Sequence, residues 1–142
     1  MRIVVAFDGS DGAESALRAA LQVAAASNGQ LLLVRAFNPL YDAANIVAPS
    51  TAAAAAVVTE DWQRMLDECV QQIDGVPAEA RVQVTERGED TGPALVRAAR
   101  AWDADLIAIA SRRATGLSGA LLGSVAAGVV NASDCPVILV HA

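Results

Sequence analysis

Residues 104–140 read ADLIAIASRRATGLSGALLGSVAAGVVNASDCPVILV and join an apolar strand, a glycine-bearing loop, a short helix and a second apolar strand. Residues 105–110 are a short, mostly apolar run of the kind that forms a strand buried on both faces. The loop that follows carries Gly116 and Gly119, which allow close backbone approach. Gly123-Ser124 then precedes a helical stretch from about Val125 to Ser133. The first N–H groups of such a helix have no intrahelical partner, and the helix dipole adds partial positive charge there. Gly123, Ser124 and Val125 therefore form an expected anion site beside the carboxyl end of a strand, where α/β proteins hold phosphates.

Outward from this stretch, apolar strands alternate with longer helical segments. A first strand over residues 2–7 ends at Asp8-Gly9-Ser10, with Ser10 or Asp11 as the N-cap of a helix reaching about Ser27. Ala13, Ala16, Leu17, Ala20, Leu21 and Ala24 recur at helical spacing, and Asn28-Gly29 closes the pattern. Residues 31–37 form the second strand, which Asn38-Pro39 ends. Residues 40–49 lie between Pro39 and the region of Pro49 without periodicity, a long connection of the kind that covers ligands. A long helix follows from Ser50 to about Ile73, since the alanines at 52–56 favour helix over disorder. Trp62, Met65, Leu66, Cys69, Val70 and Ile73 give it an apolar core face. Gly75-Val76-Pro77 leads to a third strand over residues 80–85. Thr91 or Asp90 then caps a helix running to about Trp102, with Pro93 in its first turn. The pattern is α/β: one domain of five strands and four helices, a parallel sheet with right-handed crossovers and helices on both faces.

Composition narrows the function classes. At 142 residues the chain has the length of a single domain. Its hydrophobic fraction is 54%, yet no uninterrupted apolar run approaches the ~18 residues of a membrane span. The start lacks a basic region ahead of an apolar block, so a cytoplasmic location is expected. Cys69 and Cys135 match no metal-binding spacing and are expected as buried, reduced thiols. The net charge of −6 and the absence of lysine argue against a nucleic-acid surface. The one basic pair, Arg112-Arg113, falls inside the expected phosphate loop. Each arginine there is either solvated or a fork suited to phosphate oxygens. Catalysis has little support, because the single histidine is His141 and no paired metal ligands occur. The glycine-bearing loop also lacks the Gly-Lys-Ser/Thr ending of a P-loop, so any ATP hydrolysis is expected to be slow. A binding or sensing role is favoured over an enzymatic one.

On FDGS at residues 7–10, GLSGALLGSVA at 116–126 and CPVILV at 135–140, the chain resembles the universal stress protein family over essentially its whole length. Nucleotide-binding members of that family carry Gly-x2-Gly-x9-Gly-(Ser/Thr) after the fourth strand. Anchored on Gly123-Ser124, this chain has Arg113 at the second glycine position and Ala110 at the first. The resemblance implies one universal stress protein domain over residues 1–142, a Rossmann-like open sheet of five parallel strands in the order 3-2-1-4-5. The chain would then reverse between strands one and four, where Asp8 and the 110–124 loop converge, and open α/β sheets bind ligands at such a point.

The resemblance also implies roles. The positions of Ala6, Phe7 and Asp8 line the adenine and ribose side, and that of Ala36 offers backbone contacts to adenine. The positions of Ile109 and Ala110 flank the ribose, and those of Arg113, Gly123, Ser124 and Val125 meet the phosphates of ATP or AMP, with or without Mg²⁺. Ala110 adds one methyl and removes no donor. Arg113 has two readings. With positive φ it costs on the order of 1 kcal/mol and its side chain fills the phosphate pocket; with ordinary φ its N–H survives and the guanidinium neutralises phosphate charge. Asp8, before Gly-Ser, also reads as a turn or capping residue alone. Two functional expectations follow: an adenine-nucleotide-binding stress-response sensor acting as a homodimer, or a nucleotide-free dimeric interaction module closed by Arg113. In either case the final strand, from Pro136 to His141, is an apolar edge for a second copy, and the resemblance implies antiparallel pairing across a two-fold axis.

Overall fold

The computed structural model describes residues 1–39, 52–111 and 122–141. The described elements run β1 (Arg2–Ala6), α1 (Asp11–Ser27), β2 (Gln30–Phe37), α2 (Ala52–Gln71), β3 (Ala78–Val84), α3 (Thr91–Ala101), β4 (Leu106–Ser111), α4 (Ser124–Ala132) and β5 (Val137–His141). The five strands form one sheet in the order β3-β2-β1-β4-β5, as expected, and every pairing is parallel. The expected long connection at 40–49, the start of the second helix at Ser50, and Arg112, Arg113, Gly116 and Gly119 lie outside the described residues.

Strand alternation divides the core into two layers. Ile3, Val5, Leu31, Leu33, Leu106 and Ala108 face α1 and Leu66 of α2, while Val4, Leu32, Val34, Ile107 and Ile109 face α3, Trp102 and α4. The buried face of α1 is mostly alanine, namely Ala13, Ala16, Ala20 and Ala24 with Leu17, which lets the helix lie close on the sheet. Helices thus cover both faces, and continuous apolar runs rather than alternating ones are what such strands require.

The helix ends show which of the alternative caps operates. Ser10 is the N-cap of α1, its Oγ accepting from the Ala13 N–H at 3.2 Å. Asn28 closes the helix in the left-handed region with φ 49°. Asp90 occupies the N-cap of α3, but its side chain makes no cap bond; its carbonyl accepts from the Ala94 N–H at 3.1 Å. The second helix ends at Gln71 rather than Ile73, because its last turn tightens to three-residue bonds, Gln72 N–H to Cys69 O and Ile73 N–H to Val70 O. β3 begins at Ala78 instead of residue 80, where β2 offers partners from Leu31 onward. Its outer edge is covered by Gln63 of α2, whose Nε2 donates to Ala80 O at 3.1 Å and whose Oε1 accepts from the Val82 N–H at 3.0 Å.

Both cysteines are free, but neither is fully buried as expected. Each packs on the flank of a core layer rather than inside it. Burial, with Glu14 and Glu68 nearby, pushes the Cys69 thiol up and disfavours the reactive thiolate.

Candidate functional site

The chain reverses between β1 and β4, the two strands that pair at the centre of the sheet. A cleft of about 690 Å³ lies at their carboxyl ends. It brings together Ala6, Phe7 and Asp8 from the end of β1, Ala36 from β2, Ile109 and Ala110 from β4, and Gly123, Ser124 and Val125 from the start of α4. These are all the expected site residues except Arg113, which lies outside the described residues. A second cavity of about 530 Å³ adjoins it, sharing Thr91, Ser124 and Val125 and running between α3 and α4 past Gly92 and Gly128.

The β1 side is built by a tight turn. The Phe7 N–H continues the ladder by donating to Val34 O at 2.9 Å. Gly9 then turns the chain with φ +82°, a conformation that L side chains rarely adopt. The Asp8 carboxylate accepts from the Ser10 N–H at 2.9 Å, so Asp8 both lines the cleft and holds the turn that starts α1. Arg35 locks the same turn from β2. Its Nη1 donates to Asp8 O at 3.0 Å, and its guanidinium lies 3.7 Å from the Trp62 ring centroid. Trp62 in turn meets Phe37 edge-on, with centroids 4.8 Å apart.

Burial pushes the Asp8 carboxyl up, but hydrogen bonds from Ser10 and the Arg35 charge together hold it below the usual carboxylate range. A carboxylate with a depressed folded-state pKa stabilises the fold above its unfolded pKa, and that stabilisation is lost as pH falls through the folded value. Asp8→Ala is therefore expected to destabilise the chain at neutral pH. The difference from wild type should shrink toward zero below the ordinary carboxylate range, as read from denaturant unfolding along an acid series.

The α4 side is built from backbone. Gly123 is the N-cap, with φ −58° and ψ 155°, and no side chain caps the helix. A Cβ at Gly123 would meet no atom of the described residues within 4 Å. Neither its conformation nor packing against the described residues requires glycine at this position, and its missing side chain leaves this part of the cleft wall low. The opposite walls are apolar, from Ala6, Val34, Ala36, Leu95 and Ile109. Such a site suits a flat, weakly polar ring against the sheet, with an anion at the helix start.

Sequence reasoning missed Val34, Arg35, Thr91, Leu95 and Ser111 in the lining. Ser111 extends β4 one residue past its expected end and is 3% exposed. Its Oγ lies 2.8 Å from Nδ1 of His141. The signal was a polar residue closing an apolar strand in each case, but the pairing depends on the register Ser111↔His141. Among the described residues no group of three His, Cys, Asp or Glu is placed to hold a metal ion. No helix among them is long and apolar enough to cross a membrane.

Similarity to known proteins agrees with this geometry. A relative from Thermus aquaticus, the universal stress protein in QAH/OAS sulfhydrylase 3'region, is 32% identical over 139 residues, covering 98% of this chain and 97% of its own. A solved universal stress protein in complex with cAMP is 29% identical, covers 99% of this chain and 97% of its own, and matches with a TM-score of 0.70. The universal stress protein from Archaeoglobus fulgidus in complex with dAMP is 25% identical, covers 98% and 96%, and matches with a TM-score of 0.67. The model of the universal stress protein family matches residues 1–141. With the sheet order, the cleft at the reversal and the Gly-Ser helix start all in place, this chain belongs to the universal stress protein family.

Proposed function

We propose that this chain is an adenine-nucleotide-binding stress-response protein that holds ATP or AMP in the cleft between β1 and β4 and acts as a homodimer. The observation that carries the reading is the convergence of Ala6, Phe7, Asp8, Ala36, Ile109, Ala110, Gly123, Ser124 and Val125 on one cleft at the reversal point. Two structurally similar proteins are described in complex with cAMP and with dAMP, which supports adenine as the base. In this reading the adenine and ribose lie against Ala6, Phe7, Asp8 and Ala36, with Ile109 and Ala110 beside the ribose. The phosphates meet the first-turn N–H groups of α4 at Gly123, Ser124 and Val125, and Arg113 adds charge to them. A Mg²⁺ ion carried in with ATP would be coordinated chiefly by phosphate oxygens and water, the usual arrangement for this ion. The chain senses by binding; with no lysine to neutralise a leaving phosphate, hydrolysis is slow.

Ligand-dependent melting tests this reading. ATP and AMP are expected to stabilise the chain by mass action, by about 2.7 kcal/mol at a hundred times Kd, whereas inorganic phosphate leaves the melting curve in place. Melting curves unmoved by either nucleotide would contradict the reading. The second copy is expected at β5, which ends the sheet order and carries the half-buried residues Val137, Ile138, Leu139 and Val140. Sedimentation velocity should give a dimer, and a monomer at high concentration would remove this part of the proposal.

A further inference from the structure

Ser111 and His141 end adjacent parallel strands and are partners across the β4–β5 ladder. Ile107 and Ile109 of β4 face α3 and α4, and strand alternation puts Ser111 on that same face. The cleft opens on this face, against Leu95 of α3 and Val125 of α4, and Ser111 lines it. Ser111 is buried, whereas His141 is exposed. A buried hydroxyl in the cleft wall is therefore tied, at 2.8 Å, to the exposed imidazole of His141.

We propose that the Ser111 hydroxyl donates to a phosphoryl group held in the cleft, and that His141 is the positioning residue that sets which way the hydroxyl proton points. This inference rests on the nucleotide reading above. In the neutral ring protonated only at Nε2, Nδ1 accepts, the Ser111 proton turns to the imidazole, and only oxygen lone pairs face the cleft. A phosphoryl oxygen is repelled by that arrangement. In the imidazolium, Nδ1–H donates to Oγ, and the Ser111 proton is free to point at the anion. Relative to the neutral ring protonated at Nε2, protonation of His141 and phosphoryl binding favour each other, and the ring's positive charge acts in the same direction; the neutral ring protonated at Nδ1 also frees the hydroxyl and adds nothing to this coupling.

β5 packs against β4, α1 and α4. β4 and α4 carry no charged residue; α1 packs on the opposite face of the sheet with Glu14 and Arg18, but its first residue, Asp11, lines the cleft together with Asp8 and Ser111. Arg112 and Arg113 follow Ser111 in the chain, outside the described residues.

His141 is the single histidine of the chain, so in untagged protein its ring resonances report on it alone. The experiment follows those resonances against pH in the free protein and with saturating AMP or adenosine, while the ligand's own resonances give occupancy in the same samples. Linkage requires a proton that favours phosphoryl binding to be held more tightly once the phosphoryl group is bound. AMP is expected to move the His141 midpoint to higher pH, and adenosine to leave it unmoved. Ser111→Ala should weaken AMP about 3- to 10-fold, the size of one hydrogen bond, without weakening adenosine, and should remove most of the AMP-dependent movement. The phosphate of AMP titrates in the same range, equally in wild type and variant, so the comparison isolates the pair. In a second variant, His141→Phe, AMP affinity should follow the phosphate's own titration only. An unmoved midpoint with AMP bound, or an equal movement in Ser111→Ala, overturns the role of the pair and leaves nucleotide binding standing. Absence of saturable AMP binding overturns both.

Discussion

Gly92→Ala is expected to lower the unfolding free energy by about 1–3 kcal/mol, the cost of forcing a methyl group into a filled site. A Cβ at Gly92 would sit 2.7 Å from both Cα and C of Gly128 and 2.8 Å from the Val129 nitrogen. All three are backbone atoms in the middle of α4, so no rotamer change relieves the overlap and the two helices must separate. The reciprocal substitution is milder. A Cβ at Gly128 would meet Gly92 Cα at 3.2 Å and Pro93 Cδ at 3.4 Å. Gly128 is inside a helix, where alanine is favoured by up to about 1 kcal/mol, which offsets much of the crowding. Gly128→Ala should therefore remain within about 1 kcal/mol of wild type. Urea unfolding of the two variants checks the pair, and a Gly92→Ala chain as stable as wild type would mean that α3 and α4 do not cross this closely. The crossing also bears on the site. Thr91 and Leu95 of α3 face Ser124, Val125 and Ala126 of α4 across the cleft, so separating the helices displaces both walls together.

Gly123→Val is expected to act mainly on binding, lowering stability by about 1 kcal/mol, the cost of an apolar branched residue at an N-cap, and removing most nucleotide affinity. The backbone at Gly123 is ordinary for any residue, and a Cβ there meets no atom of the described residues within 4 Å. On the proposed function that open space belongs to the phosphates, because the N–H groups of the first helical turn serve an anion only at close approach. A branched side chain at the N-cap holds the anion away from them, and a loss of at least about tenfold in Kd corresponds to about 1.4 kcal/mol. Calorimetric titration beside a denaturant curve reads both quantities. Undiminished affinity would place the phosphates elsewhere in the cleft.

Much of this fold was legible because its signals are local. The apolar runs of β1, β2, β4 and β5 announce strands covered on both faces, Ser10 and Asn28 announce the ends of α1, and Gly123-Ser124 announces the start of α4. The sheet order came from family resemblance, since the strand pattern alone does not specify which strand reverses the direction of winding. What stayed hidden depends on register and crossing. Ser111 meets His141 only because β4 and β5 pair in one register, and Gly92 meets Gly128 only because α3 and α4 cross at those turns. Arg35 reads from sequence as a lone charge in an apolar strand, and only the fold brings it over Trp62 and onto the Asp8 carbonyl. The early start of β3 was missed because Ala78 and Glu79 are weak strand formers that follow Pro77; pairing with β2 overrides their preference.

On the proposed function, the cleft at the reversal of the sheet binds an adenine nucleotide. Calorimetric titration of nucleotide-stripped protein with ATP, with and without Mg²⁺, tests it most directly. Saturable binding near one site per chain is expected; no heat at millimolar ATP would mean a closed cleft and turn attention to protein partners.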